Sequence, residues 1–227
     1  MAIKYYQDQA EELLKEYVLA DPVIPYVSVV GGIFACKMVY DLTQLVSSVY
    51  FKSYSSLSKF QRTEWNNRAM STLHAVFITV LSLYLVFWSD LYSDAQLTGL
   101  VTFRNSPFST FVLGVSVGYF IADLGMIFWF YPALGGLEYV IHHLLSIASL
   151  TYAMLTGEGQ LYTYLVARIL LFVYLFYHVY LHYDQVKQMH SLGKLLVLVV
   201  PLVLTVMNLM WFLKIFKGMK KTLAKRQ

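Results

Sequence analysis

The sequence predicts an all-α, polytopic membrane helix bundle with about six transmembrane helices, and three observations carry that prediction. The chain is 58% hydrophobic and only 13% charged, with a mean hydropathy of +0.57, whereas an ordinary soluble domain is roughly 25% charged. Apolar runs such as 111–131 and 195–216 reach the ~20 residues that a helix rising ~1.5 Å per residue needs to cross the hydrocarbon core. The runs are also continuous rather than alternating, which argues against a barrel, and an open sheet edge would leave backbone groups unpaired in lipid.

Residues 1–22 come first. Asp8, Glu11, Glu12 and Glu16 make this stretch acidic, unlike a cleavable signal peptide, and Tyr6, Ala10, Leu13, Leu14 and Tyr17 recur at helical spacing. An interfacial helical leader and a solvated helix fit this pattern equally. Spans are then expected near 23–51, 71–88, 111–131, 137–155, 161–183 and 195–216, forming one membrane domain over 23–216, with a basic tail at 217–227. Tyr50, Trp65, Trp88, Tyr92, Tyr131, Tyr183 and Trp211 gather near the proposed ends, where amphipathic rings suit the headgroup level. Pro132 closes the third span, and Pro201 interrupts the sixth and permits a kink. Gly114, Gly118 and Ala122 form a small-residue stripe for close helix packing, within one chain or in a homo-oligomer.

Charge sets a conflict. The first loop carries Lys52, Lys59, Arg62 and Arg68 against Glu64, and Lys214, Lys217, Lys220, Lys221, Lys225 and Arg226 crowd the C-terminus. The positive-inside rule places both in the cytosol and the acidic leader outside, which requires an odd number of crossings. Scattered basic residues without a recognition module exclude nucleic acid as the natural partner; membrane lipids are the expected partners. The single Cys36 permits no intramolecular disulfide.

Charged groups inside a membrane cost several kcal/mol and usually face the bundle interior or a wet cavity. Lys37 and Asp41 stand at i, i+4 and neutralise each other, with Gln44 on the same face. Asn67, Ser71 and His74 form a polar stripe entering the second span, and Arg168 needs Asp123, another polar partner or a headgroup reached by snorkelling. His142 and His143 point ~100° apart on a helix, so one can face a cavity while the other bonds a neighbouring helix. An imidazole can exchange a proton near neutral pH and Asp123 could orient it; two helical histidines with no catalytic role are as common. No metal site is expected, because adjacent histidines lack the i, i+4 spacing of a helical zinc motif and no Cys cluster accompanies them.

Glu64-Trp65-Asn66-Asn67-Arg68 leading to Ser71 and His74, Gly118-Tyr119-Phe120-Ile121-Ala122-Asp123-Leu124, Ile141-His142-His143, and Val206-Met207-Asn208-Leu209-Met210-Trp211 together resemble the TLC-domain family. Ceramide synthases and translocation-associated membrane proteins share this domain, and the chain looks most like a non-synthase branch in its plant-like form. The resemblance implies His142, His143 and Asp123 as catalytic candidates, and Arg168, His74, Asn67, Arg68 and Asn208 as lipid-binding or bundle-polar groups. It implies membrane lipid homeostasis by lipid binding, sensing or rearrangement, in the endoplasmic reticulum, with the plasma membrane or another endomembrane as the alternative. The alternatives are acyl transfer from acyl-CoA, as substrate and with no cofactor, or a sorting or translocation helper. Against acyl transfer, the paired aspartates that follow the histidines in the synthases are replaced by Gly157-Glu158-Gly159-Gln160. Relatives of this branch are also expected to carry several tens of residues between the equivalents of Tyr164 and Leu165, so the chain reads as a shortened isoform or gene model.

Overall fold

The computed structural model describes residues 23–93, 99–166 and 171–224, with side chains described except at 166, 171–174, 208–209 and 211–224. The expected leader, Arg168 and the last three residues of the tail lie outside the described residues, as does the Asn208 side chain. All described secondary structure is helical.

Helix α1, Val23–Tyr50, is followed by the single turn α2, Lys52–Ser55. Helix α3, Lys59–Leu83, starts at a reciprocal cap between Ser58 and Gln61 and continues into a wider π turn, Tyr84–Trp88. Helix α4, Pro107–Trp129, has proline at its first turn and Ser106 capping Ser109, so the start that the sequence reading put at 111 falls four residues earlier. Helix α5, Leu137–Thr156, ends at Gly157, whose φ of +75° favours a residue without Cβ. These are the four helices long and apolar enough to cross a membrane among the described residues.

The small-residue stripe packs within the chain. A Cβ on Gly32 would lie 2.5 Å from the Val115 carbonyl oxygen, and one on Gly118 would collide with the carbonyl of Val29, so α1 and α4 touch backbone to backbone. Ser28 faces Gly114 and Cys36 packs with Tyr119, which makes the two helices parallel. Helices α3 and α5 run antiparallel to α4, since Asn67 and His143 both meet Asp123 while His74 stacks on Tyr119 and Met154 approaches Gly114. The bundle therefore has a near end, where α1 begins, and a far end, holding loops 51–58 and 130–136.

The fifth expected span is the main correction. In place of one helix over 161–183 the chain forms α6, Gln160–Val166, and α7, Leu171–Leu181. With one helix over this stretch Tyr162 and His178 would stand about 24 Å apart at ~1.5 Å per residue. The pair instead returns to where it started. The Tyr162 and His178 rings are 6.1 Å apart, and after the short α8, Tyr183–Val186, the His190 imidazole Nδ1 lies 2.5 Å from Glu158 Oε1. Buried Tyr164 anchors α6 by donating to the Ser109 carbonyl at 2.5 Å, at the near end of α4. Helix α9, Ser191–Ala224, then leaves the near end, with Gly193 against Tyr152 and Glu158, and runs through Pro201 without a break. Its described apolar part covers Ser191–Met207. Helix α9 thus runs from the near end back toward the far end, where the basic first loop lies.

Candidate functional site

Polar groups from three helices converge on Asp123, which is buried on α4 between α3 and α5. Its Oδ1 accepts from Asn67 Nδ2, and its Oδ2 accepts from the Tyr119 hydroxyl at 3.3 Å and meets His143 Nε2 at 2.7 Å. The His143 Nδ1 contacts the Tyr139 carbonyl at 2.8 Å. A carbonyl only accepts, so Nδ1 carries hydrogen; a carboxylate also only accepts, so one further proton sits on Nε2 or on Asp123 Oδ2. The pair is thus an imidazolium with a carboxylate, or an imidazole with a carboxylic acid. Each helix contributes by spacing: Asn67 sits two turns into α3, and His143 lies one turn after Tyr139 on α5.

His142 looks elsewhere. It lines a cavity of about 280 Å³ bounded by α3, α4, α5, α9 and the start of α6. On α5 the lining residues His142, Ser146, Ser149 and Tyr152 follow one helical face over about 15 Å. His74 reaches the same cavity from α3, stacked on Tyr119 with ring centroids 3.8 Å apart, and both His74 and His142 meet Phe120 edge-on at 5.6 and 5.8 Å. The middle of the wall is apolar, from Ile78, Leu113, Leu150, Leu196, Val197, Val200 and Leu204.

The near end of the cavity holds a second polar group that the sequence reading met only as a departure from a motif. Glu158 is buried between two glycines at positive φ, Gly157 at +75° and Gly159 at +67°. Its carboxylate accepts from the Tyr152 hydroxyl at 2.5 Å and from the His190 backbone N–H at 3.2 Å. The Gly-Glu-Gly pattern signalled a tight turn; the partner thirty-two residues later was invisible to local spacing.

The predicted residues therefore separate. Asn67, Asp123 and His143 come together; His142 and His74 face the cavity. Arg68 points outward and pairs with Glu64 at 2.5 Å. Lys37 and Asp41 pair at 2.5 Å on the outer face of α1. Among the described residues no group of three or more His, Cys, Asp or Glu is placed to hold a metal ion.

Fold and site define a polytopic α-helical membrane protein with an elongated cavity between its helices. The chain belongs to the TLC domain family, whose model matches residues 64–166 and 160–217. The two matches overlap at 160–166, the place where the sequence reading set the shortened junction. Curated relatives include TLC domain-containing protein 4-B of Xenopus laevis, 30% identical over 109 residues, 48% of this chain and 38% of that protein. The human TLC domain-containing protein 4 is 25% identical over 122 residues, 54% and 44% of the two chains. TLC domain-containing protein 4 C of Dictyostelium discoideum is 27% identical over 146 residues, 64% and 51%. The chain thus spans about half or less of the length of these relatives. No solved structure matches it.

Proposed function

We propose that this protein acts in membrane lipid homeostasis, in the endoplasmic reticulum, by holding one lipid chain in the cavity between α3, α4, α5 and α9. The observation that carries the reading is the cavity itself: about 280 Å³, with an apolar wall facing a row of polar side chains along α5 from His142 to Tyr152, inside a membrane bundle. Ligand pockets are typically concave and apolar with a few placed polar groups, in volumes from ~300 Å³ upward. This volume suits a single chain rather than a complete diacyl lipid. His142 and His74 at one end, and Tyr152 and Glu158 at the other, supply the groups that would orient a bound chain.

Lipid extraction and mass spectrometry of the purified protein test it, with Ser149→Trp filling the cavity. Single-chain or acyl-bearing lipid should copurify with the parent and be lost from the folded variant. Equal lipid in both would remove the cavity from the argument.

Acyl transfer is a second reading, favoured by the placement of His142 on the cavity wall. In that reaction His142 would take the proton of the attacking amine as the acyl group leaves its thioester. His143 and Asp123, which do not line the cavity, would act as positioning residues.

A further inference from the structure

A second recess opens at the far end, separate from the cavity and on the outer surface of the bundle. Its volume is about 390 Å³, and its walls are Asp41, Gln44, Leu45 and Ser48 of α1 with Tyr54, Ser55 and Arg62. Lys37 Nζ donates to both carboxylate oxygens of Asp41, at 2.6 and 2.5 Å. That ion pair cancels, so Arg62 leaves the recess net positive.

The Arg62 guanidinium is held in place by the protein. Its Nε donates to the Leu57 carbonyl at 3.0 Å, its Nη2 donates to the Ser55 carbonyl at 2.6 Å, and its central carbon lies 5.6 Å from the Tyr54 ring centroid. Tyr54 is itself buried and bonded to Asn66 at 3.1 Å. These contacts leave the Nη1 hydrogens and one on Nη2 for a ligand, in a planar fork that fits phosphate oxygens. From α1 the exposed Gln44 brings an amide, an uncharged donor, to the same recess. A carboxylate already matched by a lysine has little to offer an ammonium group, so the complement of this recess is an anion.

Depth says which kind of anion. Phe60, in the first turn of α3, meets Phe130 at the end of α4 edge-on, with ring centroids 5.9 Å apart. Arg62, two residues later, therefore stands near the level of Trp129 and Tyr131, which are exposed aromatic rings of the kind that gathers at the membrane interface. On α1, Asp41 and Ser48 lie about 27 and 38 Å beyond Val23, so the recess straddles the end of a ~30 Å hydrocarbon core. Trp65 donates to Ser47, between Gln44 and Ser48, at 3.0 Å. Leu45 in the recess wall continues toward the core through exposed Leu42 and Met38 on the adjoining face of α1. An anion attached to acyl chains uses both the fixed cation and that apolar face, whereas a soluble anion uses only the first.

We infer that this recess binds the phosphate of an anionic phospholipid of the adjoining leaflet, with Arg62 and Gln44 donating to the phosphate oxygens and an acyl chain along Leu45, Leu42 and Met38. By the positive-inside rule this leaflet is the cytosolic one, since the basic first loop lies at the same end. The site does not depend on what the cavity holds.

Native mass spectrometry of the purified protein, exchanged into nanodiscs of equal phosphatidylglycerol and phosphatidylethanolamine, tests the site. The cavity-filling variant Ser149→Trp serves as background, so that lipid held in the cavity is not counted. Phosphatidylglycerol should be retained several-fold over phosphatidylethanolamine, and Arg62→Gln should remove that preference. The ion pair gives two changes of opposite sign. Asp41→Asn frees Lys37 as a second cation and should strengthen the preference, a gain that a misfolded protein would not show. Lys37→Ala leaves Asp41 unmatched and should weaken it. Lys52→Gln, which removes a loop charge outside the recess, should keep the preference. Equal retention of the two lipids by the background protein, an undiminished preference in Arg62→Gln, a weakened one in Asp41→Asn, or a loss in Lys52→Gln as large as in Arg62→Gln would each overturn the inference.

Discussion

Replacing Asp123 tests the logic of the polar network most directly. Asp123→Ala removes the acceptor for Asn67 and His143, both buried, while the Tyr119 hydroxyl keeps Ser71 as a second partner. Interhelical hydrogen bonds in membrane proteins average ~0.6 kcal/mol, and a stranded buried donor costs ~1–3 kcal/mol. One stranded donor, Asn67 Nδ2, and one stranded acceptor, His143 Nε2, therefore put the loss at about 2–6 kcal/mol. Asp123→Asn behaves differently. The introduced amide keeps an oxygen for Asn67 and presents an N–H to His143 Nε2, which can accept while Nδ1 still donates to the Tyr139 carbonyl. The shared proton disappears with the charge and the bonds to both neighbours survive, so the cost should stay below about 1 kcal/mol. Unfolding in mixed micelles titrated with sodium dodecyl sulfate and followed by circular dichroism measures both variants against the parent. An Asp123→Ala protein as stable as the parent would refute the network. Equal losses in the two variants would show that the charge itself, rather than the pattern of donors and acceptors, stabilises the bundle.

Gly118→Leu should separate α1 from α4, because a Cβ there meets the Val29 carbonyl, and should cost about 1–3 kcal/mol in the same unfolding assay; a neutral result would mean the backbones are not in contact. His143→Ala should lower stability, whereas His142→Ala should leave unfolding unchanged and reduce lipid copurification or any acyl transfer from labelled acyl-CoA in microsomes, since only His142 lines the cavity. With Cys36→Ser as background, single cysteines at Ser56 and Ala133 should react with an impermeant maleimide from one side of sealed vesicles and one at Asp90 from the other; labelling of all three from one side would overturn the crossing pattern. Glu158→Gln, which replaces one acceptor oxygen by a donor facing Tyr152 or His190, should loosen the joint between α5 and α9 and accelerate protease cleavage near residue 190.

The long apolar runs were legible as helices, although α3 begins at Lys59 rather than near 71 and α4 at Pro107 rather than near 111, because their capped polar first turns precede the apolar run. Helix α5 falls where 137–155 was expected, and α1 ends within a residue of its expected limit, because length and hydropathy are local properties that a bilayer reads directly. The glycine stripe announced a close helix contact, and the adjacent histidines announced two directions, since helical geometry projects neighbours ~100° apart. The hairpin of α6 and α7 was not legible. Its residues are as apolar as a span, and what holds them at one end is the bond from Tyr164 to Ser109 and the contact of His190 with Glu158, between groups 55 and 32 residues apart. Nor could spacing tell which histidine faces the cavity, because that depends on the rotation of α5 against α4, set by His143 reaching Asp123. The sequence by itself determined a helical membrane protein, its polar cast and the parity its charges demand. Only the tertiary structure decided which apolar stretch turns back and which imidazole meets the cavity, because those follow from contacts between segments distant in the chain, and hydropathy carries no information about them.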